Sequence, residues 1–374
     1  MVGGGFVAGS KGKSIQVSSR AAPDVTSHAT PEAFGQYVLV VREQVEARLG
    51  AWFEARAVEG RGLGPDVEAV SDGVRQLTMR GGKRLRAVLL AAAYDACEGK
   101  GGSQAVALVG AALELFQTYL LAHDDLMDRD DVRRGGPSLP ALMRARFGGP
   151  LSDAMTILAG DLASAWAQRA LFEAELPPVN LALAARELGR VHDQVIAGQV
   201  LDMRGAAGDA REVEAMHALK TGSYSVRGPV VMGAHLAGAS EAQVAALTAF
   251  GEPLGVAFQL RDDVLGLFGD TAATGKPAGN DLREGKRSAP IVEALRDPRA
   301  EETLSRVLGH RGATDDDVRA AVAKIEACGV RARIEARIAE LVTQSRAALD
   351  RAPFTDRGRA LLEGAVDALT ERRT

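Results

Sequence analysis

Two aspartates four residues apart, Asp124 and Asp128, bracket the run Asp124-Asp125-Leu126-Met127-Asp128, and an apolar stretch from Val106 to Ala122 leads into it through His123. On a helix that spacing turns both carboxylates to one side. Like charges so placed repel, and a bound divalent cation relieves the repulsion. Mg²⁺ takes one or two carboxylates and completes its shell with water and phosphate oxygens. A solvated acidic helix end would carry the same spacing. What favours a metal–phosphate clamp is Arg133-Arg134 just beyond, where the turn Gly135-Gly136-Pro137 can fold the pair back. Guanidinium groups suit bidentate phosphate binding.

The order repeats near the far end of the chain. Gln259-Leu260-Arg261-Asp262-Asp263 closes another apolar stretch, and a Gly-rich segment with Lys276, Asp281 and Lys286 follows. Two such helix ends facing one another would hold several Mg²⁺ ions around one diphosphate. Two further basic features stand between and before them. In Gly81-Gly82-Lys83-Arg84-Leu85-Arg86, Lys83 and Arg86 lie three apart at a helix start, where backbone N–H groups and the helix dipole favour an anion. Lys220-Thr221-Gly222 pairs a cation with a hydroxyl, read as the point where one helix stops and another begins. His123 needs no role in the chemistry and is read as structural.

The elements that must position these residues are helices. Ala, Leu, Arg and Glu dominate from Pro31 onward, with apolar residues recurring at three and four positions and little strand-like alternation. The pattern predicts helices over about 31–57, 66–79, 84–97, 104–127, 151–175, 179–204, 224–236 and 242–267, then 291–308, 314–327, 332–349 and 355–372. The fold class is therefore all-α. One large helical domain over 31–374 is expected, because clusters far apart in sequence are chemically complementary. Residues 1–30, rich in Gly, Ser, Ala and Lys, read as a disordered leader, with a transit peptide the weaker alternative.

Among 374 residues, 46% are hydrophobic and 25% charged, enough for a full core. The 45 basic and 49 acidic residues leave a net charge of −4, which excludes a general nucleic-acid binder. Cys97 and Cys328 are far apart and form no metal or disulfide framework, which points to a reducing, cytoplasmic setting. No apolar run was expected to reach the roughly 18 residues of a membrane span.

At these motifs the sequence resembles the trans-isoprenyl diphosphate synthases over roughly Arg75 to Ser288. The resemblance rests on GGKRLR, HDDLMD with RRG, GQVLD at Gly198–Asp202, KTG, and FQLRDD with the loop GKPAGNDLREGK. It implies a single large helical bundle around a central cavity, of the isoprenoid synthase type. It also implies a homodimer and an enzyme condensing an allylic diphosphate with isopentenyl diphosphate. Mg²⁺, three ions per active site with Mn²⁺ as an alternative, would be held by Asp124, Asp128 and Asp262, with Asp125 and Asp263 in support. Arg133, Lys220, Lys276 and Lys286 would bind the allylic diphosphate. Lys83, Arg86, Gln117 and Arg134 would bind isopentenyl diphosphate, Gln117 standing where many relatives carry His. Thr221 and Gln259 would offer oxygens to the developing carbocation.

Gly266 departs from the pattern, since the second motif usually ends in Asp. Either the final carboxylate is dispensable or the chain is a weakened or regulatory subunit. Phe116, Tyr119 and Leu120 would line the tunnel that sets chain length. In relatives one aromatic five positions before the first motif, here Tyr119, accompanies a C20 product, so geranylgeranyl diphosphate is expected. A farnesyl or longer-chain product, a terpene cyclase and a non-catalytic partner remain the alternatives.

Overall fold

The computed structural model of the chain describes residues 31–205, 208–269 and 279–371. Its helices are α1 (Pro31–Gly60), α2 (Pro65–Met79), α3 (Leu85–Ala96), α4 (Ser103–Asp128), α5 (Leu139–Phe147), α6 (Gly149–Phe172), α7 (Pro178–Met203), α8 (Ala210–His217), α9 (Gly228–Ala237) and α10 (Glu241–Phe268). A π-helical segment, Ala218–Arg227, joins α8 to α9. Beyond them come α11 (Asn280–Glu284), α12 (Ala289–Leu295), α13 (Pro298–Ser305), α14 (Asp315–Ala327), α15 (Val330–Ala348) and α16 (Asp356–Thr370). Among the described residues the sheet structure is one two-stranded antiparallel hairpin, β1 (Val132–Arg133) with β2 (Gly136–Pro137).

The all-α expectation holds, and α4 is the reason for the arrangement. Its residues from Ala105 to Tyr119 are buried almost without interruption, as in a helix enclosed on every side. It packs along α6, with α1 and α3 on other faces. By length and composition α4 is apolar enough to cross a membrane, contrary to the expectation, but 78% of its apolar window is buried inside the fold. Helix α10 buries Leu247, Phe250, Leu254, Ala257, Leu260 and Val264, a three-and-four spacing that forms one stripe. That stripe bridges the two apolar clusters of the core, one around α1–α7 and one around α12–α15.

Three expectations change. The span 291–308 is two helices, because Pro298 lacks the N–H that would continue the first and Asp297 caps the second. Helices α5 and α8 lie where no element was foreseen; each is short and opens on a side-chain cap, Ser138 and Asp209. The chain does not stop at Lys220-Thr221-Gly222 but runs helically through it. Gly222 serves close packing there: it lies against Gly255 of α10, where a Cβ at 222 would stand 3.3 Å from the Gly255 backbone. The 1–30 leader lies outside the described residues.

Candidate active site

Helix α4 ends at Asp128, with Arg129 in the left-handed region as its cap. Asp125 is fully buried, and its Oδ1 accepts from Arg133 Nε at 2.7 Å and from the same guanidinium's Nη2. The hairpin that brings Arg133 back is itself pinned. Arg80 donates to the carbonyls of Arg133 (2.8 Å) and Pro137 (2.7 Å), and Ser138 Oγ donates to that of Asp130 (2.6 Å). The paired arginines diverge. Arg133 faces Asp125, Asp130 and Asp124, whereas Arg134, at φ 52°, donates to the Gly81 carbonyl at 3.0 Å. Burial, opposed by Arg133, pushes the Asp125 carboxyl up to about 6. Burial and then the Asp124 charge raise Asp128, which is the like-charge repulsion the spacing implied.

Asp124 is held from across the cleft. Gln199 Nε2 on α7 donates to its Oδ1 at 3.1 Å, and Lys220 Nζ stands 3.3 Å from the same oxygen and 2.5 Å from Asp202. Gly198 allows this approach, because a Cβ there would collide with the Lys220 backbone. Gln199 and Asp202 belong to the motif Gly198–Asp202, yet the motif by itself assigns neither a part. Their signal was present: two polar residues three apart closing the apolar helix α7, preceded by a glycine.

In the second cluster Asp263 turns away from the open cleft. Its Oδ2 accepts from the Ala289 N–H at the start of α12 (2.9 Å), its Oδ1 from Gln259 Nε2 (3.0 Å), and His217 lies 3.5 Å away. With its N–H on Asp263, Gln259 turns its carbonyl oxygen to the other side. Asp262, its neighbour, is part-exposed. The space beside Gly266 is taken: a Cβ there would stand 2.9 Å from the Asp281 carboxylate. Lys286 pairs with Glu284 at 2.8 Å, and the charges of Asp281 and Asp128 both act on it. Lys286, after the second cluster, thus lies within electrostatic reach of Asp128 at the end of α4. Lys276 lies outside the described residues.

Arg86 and Arg134 gather around Tyr224. Arg86 donates to Ser225 Oγ at 2.8 Å and stacks 4.3 Å above the Tyr224 ring. Burial holds Arg134 below the usual guanidinium range; Glu114 opposes that, while Arg84 and Arg86 add to it. Glu114 neutralises Arg84, which leaves Arg86 and Arg134 as a close pair of cations suited to an anion. Lys83 is exposed at the rim and Gln117 is buried on α4. Arg84, unassigned from sequence, is 3% exposed, sits at φ 51°, and donates to Glu114 Oε2 (2.7 Å) and the Thr78 carbonyl (2.9 Å).

From Asp124 and Lys220 a cleft of about 410 Å³ runs between α4 and α7, walled by Leu120, Val195, Ile196 and Val200, with Thr221 and Tyr224 on one side and Tyr119 toward its depth. Tyr119 and Leu120 line it as expected. Phe116 does not: it is 3% exposed and backs the Tyr119 ring at 5.6 Å. His123 shares a hydrogen bond with the Ile157 carbonyl at 3.2 Å and also lines the cleft. A larger groove of about 1410 Å³ between α1, α3 and α16 lies apart from all of this chemistry.

The donor set fits a hard divalent cation. Every candidate ligand is a carboxylate oxygen, and the buried Asp125 Oδ2 has no hydrogen-bond partner. Among the described residues no three acidic, His or Cys groups form a ready-made cage. Mg²⁺ needs none, since it relies on one or two carboxylates with water and phosphate oxygens.

Residues 67–325 match the family described as Polyprenyl synthetase. A geranylgeranyl diphosphate synthase of Sulfolobus acidocaldarius is 33% identical over 261 residues, 68% of this chain and 76% of that protein. A (2E,6E)-farnesyl diphosphate synthase of Mycobacterium bovis is 33% identical over 304 residues, 78% of this chain and 80% of that one. A solved geranylgeranyl pyrophosphate synthase from Corynebacterium glutamicum, complexed with isoprenyl diphosphate and magnesium, superposes with a TM-score of 0.83 at 32% identity, covering 89% of this chain and 99% of that one.

Proposed function

Because this chain belongs to the polyprenyl synthetase family, and is thus a trans-prenyltransferase, we propose that it elongates allylic diphosphates with isopentenyl diphosphate to the C20 product, geranylgeranyl diphosphate. The observation that carries this reading is the cleft itself. Its mouth holds Asp124, Gln199 and Lys220, its walls are apolar, and it reaches down to Tyr119.

Asp124, Asp128 and Asp262 would hold Mg²⁺, three ions per site, with Mn²⁺ as a substitute and Asp125 and Asp263 in support. Bound there, the metal supplies positive charge to the leaving diphosphate. Lys220 moves from its carboxylate partners to the allylic diphosphate, joined by Arg133, Lys276 and Lys286. Such preorganised charge stabilises the developing pyrophosphate as the C–O bond breaks. Thr221 and the Gln259 carbonyl oxygen face the allylic cation, and the apolar walls keep water from it. Lys83, Arg86, Gln117 and Arg134 hold isopentenyl diphosphate so that its double bond attacks. The proton then lost passes to the released diphosphate.

Phe116 acts on chain length indirectly, by backing Tyr119, while Tyr119 and Leu120 meet the tail. Asp281 beside Gly266 favours a working second cluster over a non-catalytic subunit. We also propose a homodimer formed over the exposed apolar residues of α6, among them Leu151, Ile157 and Leu158. The two free, buried cysteines suit a cytoplasmic enzyme. A C15 product is the second reading, since the farnesyl synthase matches at the same identity as the C20 enzyme.

Purified protein, Mg²⁺, farnesyl diphosphate and labelled isopentenyl diphosphate provide the test. A C20 prenyl product supports the proposal. No elongation of farnesyl diphosphate, with geranyl diphosphate extended to C15 and no further, overturns it in favour of the farnesyl reading.

A further inference from the structure

We infer that His192, on α7, is a specificity-determining positioning residue: it holds Tyr119 across the depth of the cleft and so sets where the growing prenyl chain must stop. The inference rests on the proposed reading that Tyr119 limits the product at C20.

Two helices form the long walls of the cleft, and each contributes a stripe at helical spacing. On α4 the stripe that lines the cleft is Tyr119, His123 and Met127; on α7 Val195 and Gln199 line it, and His192 lies about one turn before Val195, behind Tyr119. The stripes are tied at two rungs. At the mouth Gln199 binds Asp124 at 3.1 Å, and in the depth His192 Nε2 and the Tyr119 hydroxyl share a hydrogen bond of 2.8 Å. The seven-residue separation of His192 and Gln199 is about 10 Å of helix rise, so the second rung lies well below the diphosphate end.

Tyr119 is 9% exposed, and a tyrosine hydroxyl this enclosed needs a polar partner. The partner His192 supplies also fixes the ring. Tyr119 packs against three rings: Phe116 at 5.6 Å, His192 at 5.1 Å and His123 at 4.9 Å. Two of these stay in place without His192. Phe116 is buried on the same helix, and His123 is seated on the Ile157 carbonyl in room left by Gly160, where a Cβ would fall on the imidazole. The His192 side is the one through which the phenol ring can leave. Truncating His192 unties the hydroxyl and opens space for the ring to swing toward α7, which lengthens the cleft.

The test measures the ratio of products longer than C20 to C20 itself, by chromatography after extension of farnesyl diphosphate with labelled isopentenyl diphosphate. Loss of folded enzyme lowers the yield but leaves that ratio alone. His192→Ala is expected to raise the ratio by about tenfold, the scale on which an apolar pocket discriminates one small group. His192→Gln, whose amide can still bond the hydroxyl, is expected to keep the wild-type ratio. Tyr119→Phe removes the same hydrogen bond but leaves the His192 ring in place, so it is expected to raise the ratio in the same direction by less than His192→Ala. Should His192→Ala not fold, Tyr119→Phe carries the test by itself. A wild-type ratio in Tyr119→Phe or His192→Ala, with Tyr119→Ala producing longer chains, overturns the role of His192 while leaving the Tyr119 floor intact. A wild-type ratio in Tyr119→Ala instead defeats the floor reading on which the inference rests.

Discussion

Replacing Glu114 by Gln removes one charge from a pair that water barely reaches. Arg84 is 3% and Glu114 2% exposed, and their Nη1–Oε2 contact is 2.7 Å. Neither group is fully satisfied otherwise, since Arg84 Nε and Glu114 Oε1 have no hydrogen-bond partner. Glu46 approaches Arg84 Nε at 3.6 Å from a part-exposed position and can replace little of the lost charge. Breaking a buried pair on one side costs about 3–5 kcal/mol, because the remaining charge stays buried. Glu114→Gln is therefore expected to lose that much stability, whereas Arg84→Met with Glu114→Leu should return to within about 1–2 kcal/mol of wild type. Urea unfolding followed by both far-ultraviolet circular dichroism and tryptophan fluorescence provides the measurement, with coincident transitions required. Function separates from stability in the double variant. Arg84 also holds the Thr78 carbonyl and occupies the left-handed N-cap of α3, so it fixes the loop that carries Lys83 and Arg86. KM for isopentenyl diphosphate is expected to rise roughly tenfold there, one charge-assisted contact's worth. If Glu114→Gln unfolds within about 1 kcal/mol of wild type and the double variant keeps the wild-type KM, the pair is not a keystone of the basic subsite.

Asp124→Asn should cut turnover by about 10²–10³ and abolish the rise in melting temperature that Mg²⁺ with inorganic diphosphate gives the wild type; an intact thermal shift would count against Asp124 as a ligand. Asp281→Asn should raise the Mg²⁺ concentration needed for half-maximal thermal stabilisation, and Gly266→Asp should do so too by setting a second carboxylate against Asp281. Combining the two substitutions should restore the wild-type requirement, whereas additive losses would argue against shared space. Burial first, then Arg186 and Arg190, hold His235 below its ordinary value. The unfolded chain then binds the extra proton as pH falls through about 6.5, so the stability His235 contributes above that pH is lost below it. His235→Asn should flatten the fall in melting temperature from pH 7.5 to 5.5, and an unchanged slope would contradict this.

Much of the molecule was written in local spacing. Helical periodicity located most of the long helices, because a buried stripe at three and four positions has one economical solution. Asp124 and Asp128 share a side of α4 because they are one turn apart, and the Gly-Gly-Pro turn returns Arg133 to them as its composition implied. What local pattern could not decide is where separate helices touch. The opposite destinations of Arg133 and Arg134 depend on the hairpin and on the loop of Gly81. Lys220 lies between Asp124 and Asp202 only because Gly198 lets α7 close on the π-helical turn, and that turn continues where the sequence suggested a stop. The carboxylate of Asp281 stands beside Gly266 through the packing of α11 on α10. Phe116 backs the cleft while Tyr119 faces it. Such outcomes turn on interhelical distance and rotation, set by side chains distant in sequence, so they emerge only when the chain is packed.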